Sequence, residues 1–195
     1  MLVFVLIACK SDPNKQIEEG TIAEGVFHSE EIGWTMEIPK GWEITDLRLT
    51  NERTERGMEA LVEDNGLAYD SSGLKQLLNF QKDMFHVFQS TTEPFELEYE
   101  GEYEDNGKFL RELIFDTYTA QGIKVDSSSS KVTIDKIEFQ VFHLKLYGPD
   151  GKLFLNQDMY SSLINGLDFG VNLSYINEED KNEMLEAWMN SKFDK

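Results

Sequence analysis

The chain has 195 residues, 40% of them hydrophobic, and its 13 Phe, 7 Tyr and 3 Trp supply enough apolar material for one packed domain of about 180 residues. Against 18 Lys and Arg stand 37 Asp and Glu, a formal charge of −19. A surface of that sign repels phosphate-rich partners, which excludes nucleic acid as a ligand and leaves no basis for adhesion to anionic lipid headgroups through the protein itself.

From the start, Leu2 to Ala8 form an uninterrupted apolar run that ends at Cys9, and Lys10 to Lys15 are mostly polar. A small residue precedes the cysteine and a bulky aliphatic lies three before it. This pattern resembles a bacterial lipobox. The resemblance implies that residues 1–8 are cut away and that Cys9 becomes an N-terminus carrying a thioether-linked diacylglycerol and an amide-linked acyl chain. Two or more acyl chains hold a protein stably on a bilayer, so Cys9 is the expected lipidation site and the membrane the expected partner of that anchor. The domain is then expected at the bacterial cell envelope, outside the cytoplasm; Lys10 rather than Asp after the cysteine favours the outer membrane in a Gram-negative host. An alternative reading makes Leu2 to Ala8 a core strand and Cys9 a small buried hydrophobe. The run is too short to span a bilayer, which takes about 20 apolar residues. With Cys9 modified no second thiol remains, which excludes disulfides, Cys-ligated zinc and thiol catalysis.

Residues 9–21 read as the lipidated cysteine and a polar tether, and 22–195 as a single domain. Trp34 to Ile38 alternate apolar and polar as a half-buried strand does, Pro39-Lys40-Gly41 supplies a turn, and Trp42 to Ile44 resume the alternation, giving a hairpin or a sharp strand corner. The charged stretch from Thr50 to Asn65, closed by Asn65-Gly66, fits a short surface helix. After Asp70-Ser71-Ser72, good N-cap material, the spacing of Leu74, Leu77, Leu78, Gln81, Met84, Phe85 and Phe88 predicts an amphipathic helix over about 73–89. Phe109, Leu110, Leu113, Ile114 and Tyr118 predict a second over about 107–121. The competing reading there makes Asn106-Gly107 a hairpin turn.

Further on, Lys131 to Ile134, Ile137 to Tyr147, Leu153 to Leu163 and Leu167 to Tyr175 read as strands, with turn chemistry at Gly148-Pro149-Asp150-Gly151. Phe139 and Val141 point opposite to Phe142 and Leu144, which predicts a central strand covered by helices on both faces. Asn177-Glu178-Glu179-Asp180 caps a terminal helix, with Met184, Leu185, Trp188 and Met189 as its apolar stripe.

Two stretches carry a further resemblance. Gly33-Trp34-Thr35-Met36-Glu37-Ile38-Pro39-Lys40-Gly41-Trp42, and the C-terminal series of strand, Pro-Asp-Gly turn, Tyr-containing strand, Gly-punctuated strand and helix ending Met189-Asn190-Ser191-Lys192-Phe193, resemble PsbP-like domains over about residues 26–46 and 131–194. That resemblance implies an α+β fold, an antiparallel sheet flanked by helices in an α/β/α sandwich, with the middle of the chain as an added segment. Members include an extrinsic subunit of the photosynthetic oxygen-evolving complex, a Ran-binding nuclear import factor and many bacterial lipoproteins. They share no active site, so the resemblance implies binding or assembly and transfers no functional residue.

No residue stands out as catalytic, cofactor-binding or metal-ligating. The alternation of Glu96, Glu98, Glu100, Glu102 and Glu104 with apolar residues, followed by Asp105, reads as a solvated edge or loop rather than a calcium site. His28, His86 and His143 match no metal spacing and are placed in a loop or strand edge, a helix and a strand. Ser127 to Ser130 read as a flexible loop, no nucleophile elbow occurs, and nothing pairs a serine with a histidine. Asn165 to Gly170 links strands and lacks the strand-to-helix context of a phosphate loop. The expected function is a non-enzymatic binding or assembly module with an envelope protein or small ligand as partner. The alternative is an enzyme or metal-binding accessory protein using carboxylates and His143.

Overall fold

The computed structural model describes residues 17–65 and 73–194. In chain order the elements are β1 (Thr21–Ala23), β2 (Val26–Ser29), β3 (Trp34–Glu37), β4 (Glu43–Ile44), α1 (Leu47–Asn65), β5 (Lys75–Gln76), β6 (Phe80–Gln81), β7 (Val87–Pro94), α2 (Glu102–Ala120), β8 (Lys124–Ile134), β9 (Ile137–Tyr147), β10 (Leu153–Ile164), β11 (Leu167–Tyr175), α3 (Glu178–Met189) and β12 (Lys192–Phe193). They form two antiparallel sheets, a small one in the order β1-β2-β3-β12 and a large one in the order β4-β6-β7-β11-β10-β9-β8, with β5 also paired to β7.

Alternation along β9 explains the layering. Phe139 and Val141 are buried on one face in a core shared with the small sheet and α3, while Phe142, Leu144 and Leu146 are buried on the other beside Ile114 and Tyr118 of α2. A strand apolar on both faces is stable only when both are covered, and here α3 with the small sheet covers one and α2 the other. The architecture is the expected α+β sandwich of helices about an antiparallel sheet, extended by a second sheet. On the first face the indoles of Trp34 and Trp188 lie edge to face with ring centres 5.9 Å apart, and Trp188 also meets Phe139 at 5.1 Å and Tyr160 at 5.6 Å. Trp34 donates from Nε1 to Ser191 Oγ at 3.0 Å, which ties the small sheet to the end of α3.

Several expected elements are where the patterns put them. The turn at Pro39 to Gly41 is a corner, since β3 and β4 belong to different sheets. α1 covers the charged stretch, and its expected Gly66 stop and the Asp70-Ser71-Ser72 cap lie outside the described residues. α2 includes Asn106 and Gly107, so the hairpin reading there is excluded. α3 has Asn177 as its N-cap, whose side chain accepts from the Asp180 amide at 2.9 Å, as Asn caps do for an otherwise orphaned donor. The domain takes in Ile17 and Glu18, ahead of the expected start near Ile22: Ile17 joins the core, and Glu18 exchanges bonds with Gln76, its amide donating to the Gln76 carbonyl at 2.9 Å.

Three expectations fail. Residues 73–89 are not a helix; they carry β5, β6 and the start of β7. Gln76, Leu77, Leu78, Asn79 and Phe80 are buried in succession, which no single helical stripe allows, and Asn79 takes the place of a regular ladder. Its Oδ1 accepts from the Ser90 amide at 2.9 Å, and Ser90 Oγ donates to the Leu78 carbonyl at 2.6 Å. Met84 and Phe85, expected in the stripe, are exposed at a turn that Asp83 makes by accepting from the amides of Phe85 and His86. Ser127 to Ser130 are not a loop but the middle of β8, paired along their length with Leu144 to Val141 of β9. Met189 is exposed rather than part of the buried stripe of α3, where Met184 and Trp188 carry the burial.

Replacing Trp188 by Ala removes the ring that joins α3 to four strands of the large sheet, through Phe88, Phe139, Tyr160 and Phe169. The expected cost is about 3–5 kcal/mol of unfolding free energy, read as a lower midpoint in urea-induced unfolding followed by circular dichroism.

Candidate functional site

Across β8, β9 and β10 the register brings a hydroxyl, an imidazole and a carboxylate onto one face of the large sheet. His143 lies opposite Ser128 on β8 and opposite Asp158 on β10, and Ser130, two residues from Ser128, therefore shares its face. Ser130 Oγ is 2.8 Å from His143 Nε2, and His143 Nδ1 is 2.6 Å from Asp158 Oδ1. Tyr175 of β11 donates to the second oxygen, Asp158 Oδ2, at 3.0 Å. Burial grades along the row: the Asp158 side chain is 8% exposed, that of His143 36%, and Ser130 stands in solvent.

The chemistry of each member follows from its neighbours. Burial, then the adjacent Asp158 carboxylate, push the Tyr175 hydroxyl well above the usual phenol range, so it stays protonated and remains a donor. Asp158 accepts at both oxygens, and the bond at His143 Nδ1 assigns the proton of the neutral ring to that nitrogen, which leaves Nε2 to accept from Ser130. The row is a serine held against a base, with the base oriented by a buried acid. Sequence order conceals it, because 13 and 15 residues separate His143 from Ser130 and Asp158. The expectation that no serine pairs with a histidine is thereby corrected.

The other two histidines have different surroundings. His28 lies on β2 with Nδ1 2.9 Å from Thr35 Oγ1. His86, expected on a helix, lies in the turn before β7 and is buried. Its Nδ1 is 3.0 Å from Asp83, and its Nε2 is 2.9 Å from the Asn177 side-chain nitrogen and 3.4 Å from Asp180 Oδ2. Next to it Lys82 Nζ reaches Asp180 at 2.5 Å and Glu183 at 2.7 Å, and Glu183 also accepts from Trp42 Nε1 at 2.7 Å. This network fastens the start of α3 to the large sheet.

Between β3 and α3, with Glu183 of this network in its wall, lies an open groove of about 770 Å³ that has Met36, Ile38, Pro39 and Ala187 among its apolar lining and Glu186 and Lys192 among its charged lining. Of the acidic segment, Glu102, Glu104 and Asp105 occupy the first turn of α2, where carboxylates favour the positive end of the helix dipole. Tyr103 between them donates to Asp168 Oδ1 at 2.7 Å under α2, and burial raises that carboxyl above its usual range. Among the described residues no three His, Cys, Asp or Glu side chains are placed to hold a metal ion. No described helix is long and apolar enough to cross a membrane. Cys9 lies outside the described residues.

No protein-family model matches the chain, and no curated protein does. Among solved structures it is similar to the solution structure of cyanobacterial PsbP (CyanoP) from Synechocystis sp. PCC 6803, with a TM-score of 0.53 and 11% identity over 97% of this chain and 99% of that one. At that identity the likeness is one of fold, and the fold is the PsbP-like one that the two motif-bearing stretches imply.

The network at α3 makes stability depend on pH. Hydrogen bonds from Lys82 hold the Asp180 and Glu183 carboxyls below their usual range, and the same bonds hold Lys82 above its own. Depressed carboxyls contribute fully above their unfolded-state values near pH 4 and lose that contribution as pH falls through the lower folded values. The raised lysine contributes below about pH 10.4 and loses it as pH rises further. Lys82→Met is therefore expected to lower the urea midpoint between about pH 5 and 9, and the difference from the parent should narrow progressively as pH falls below about 4.

Proposed function

We propose that this chain is a lipid-anchored bacterial lipoprotein whose PsbP-like domain acts as a binding or assembly module at the cell envelope. The observation that carries this reading is the fold, shared over nearly the whole of both chains with cyanobacterial PsbP. An acidic chain of formal charge −19 with an apolar run ending in one cysteine supports attachment through lipid rather than through the protein surface. Only residues 10–16 separate Cys9 from the buried Ile17, a span of at most about 25–30 Å when fully extended. A lipid on Cys9 thus keeps the domain close to the bilayer, within reach of the extramembrane parts of a membrane complex.

A second reading has its own observation. The Ser130, His143 and Asp158 geometry favours an envelope enzyme that uses His143 and a carboxylate.

Co-purification from detergent-solubilised membranes, quantified by mass spectrometry for the parent chain and for Cys9→Ala, tests the first reading. The parent is expected in the membrane fraction with a stoichiometric protein partner, and the variant in the soluble fraction without it. Recovery of the parent alone, or unchanged membrane fractionation of Cys9→Ala, would overturn it.

A further inference from the structure

The row on the large sheet joins Ser130, His143, Asp158 and Tyr175 by hydrogen bonds across four adjacent strands. Three features set it apart from an incidental surface cluster. The atoms are matched one to one: Oγ faces Nε2 at 2.8 Å, Nδ1 faces Oδ1 at 2.6 Å, and the remaining carboxylate oxygen accepts from Tyr175 at 3.0 Å. The scaffold is one continuous sheet: His143, Asp158 and Tyr175 come from β9, β10 and β11, interior strands paired on both sides, and Ser130 from the edge strand β8. Solvent access runs in the useful direction, with the acid buried, the base at the boundary and the hydroxyl exposed. A nucleophile within hydrogen-bond reach of a base, itself oriented by a third group, is the arrangement that activates serine.

We propose that Ser130 is a nucleophile, activated by His143 with Asp158 as the orienting acid, that takes acyl groups from activated esters. Oγ forms a bond to the carbonyl carbon as its proton passes to His143 Nε2, and the Asp158 carboxylate stabilises the imidazolium. The bond from carbon to the leaving oxygen then breaks, and that oxygen takes the proton from Nε2 and departs as the alcohol or phenol. Water, giving its proton to Nε2, attacks the acyl-Ser130 carbonyl and releases the carboxylic acid, and Ser130 recovers its proton. Tyr175 holds Asp158 in place and touches no reactant; it is a positioning residue. β8 is an edge strand, so a row of its backbone groups faces away from the sheet, and the serine is reached from solvent without passing through a cavity. The inference does not depend on the anchor or on any partner, and it is tested without a membrane.

The full chain, purified in detergent, is exposed to p-nitrophenyl acetate and separately to a fluorophosphonate, and adducts are counted by intact mass and located by peptide mapping. One adduct per chain at Ser130 is expected, lost in Ser130→Ala, whose exposed position leaves the fold intact, and retained in Ser128→Ala. His143→Ala is expected to slow the modification about 100-fold, within the range that a positioned base supplies, and added imidazole should restore part of the rate, which a purely structural role of the ring would not produce. Adducts spread over lysines and tyrosines, labelling unchanged by Ser130→Ala, a Ser130 labelled equally fast without His143, or no adduct at all would each overturn the proposal.

Discussion

Trp188 and Trp34 meet edge to face in a core where both indoles are fully buried, and each is anchored in a different layer. Trp34 belongs to the small sheet, while Trp188 hangs from α3 over the large one, against Phe139, Tyr160 and Phe169. Phe193 closes the cluster from β12, which pairs with β3 through Trp34 itself. Aromatic contacts of this kind contribute about 0.5–1.5 kcal/mol each beyond the area they bury. One cluster thus couples the two sheets, the last helix and the last strand. The chain returns to its N-terminal sheet after α3 because the aromatic residues of both ends share this centre. Gly33, at φ +72°, makes the closure possible, since a Cβ there would lie 2.5 Å from the Asp194 carbonyl oxygen.

The parts of this fold legible in the sequence are those where the burial pattern and the local turn chemistry agree. β9 to β11 are marked by long apolar-rich runs between turn residues, and the two-residue turn at Asn165-Gly166 has both residues at positive φ, as a tight hairpin needs. α3 announces itself through Asn177 and the acids behind it. Residues 73–89 failed because the spacing of Leu74, Leu77, Leu78, Met84, Phe85 and Phe88 imitates a helical stripe, while the deciding groups are polar. Gln76, Asn79 and Ser90 are buried and bond to one another and to the backbone across a crossing of short strands. Buried polar side chains that replace a ladder leave no periodicity to read. Ser127 to Ser130 failed for the opposite reason: nothing in four serines favours a strand, and the pairing is imposed by the apolar neighbour β9.

The candidate site was legible only in part. The pattern around His143 puts it on a strand of the sheet, where it lies, but Ser130 and Asp158 carry no local mark. His86 shows the contrast. Its partners Asp83 and Asn177 sit in recognisable turn and cap positions, yet their meeting depends on α3 docking against the β6 to β7 turn, which is a property of the packed core and not of either segment.

What brings Asp158 to His143 is a single irregularity. The turn at Gly148 to Gly151 pairs Gly148 with Lys152, and Tyr147 accordingly faces Leu153. Continued without interruption, that register would set His143 opposite Gln157, and Asp158 would point to the α2 side, because neighbouring residues of a strand face opposite ways. Between Leu153 and Leu155 the register shifts by one residue, so that Leu155 faces Leu146 and Asp158 faces His143. A bulge that inserts one residue re-aims every side chain beyond it. Here it turns Tyr160 toward the Trp188 cluster and Asp158 toward the imidazole in the same step, so the packing of the core and the geometry of the row have one origin. A one-residue slip of β10 on β9 would turn Asp158 away from His143 and withdraw Tyr160 from the aromatic centre. The core therefore holds the relay in register.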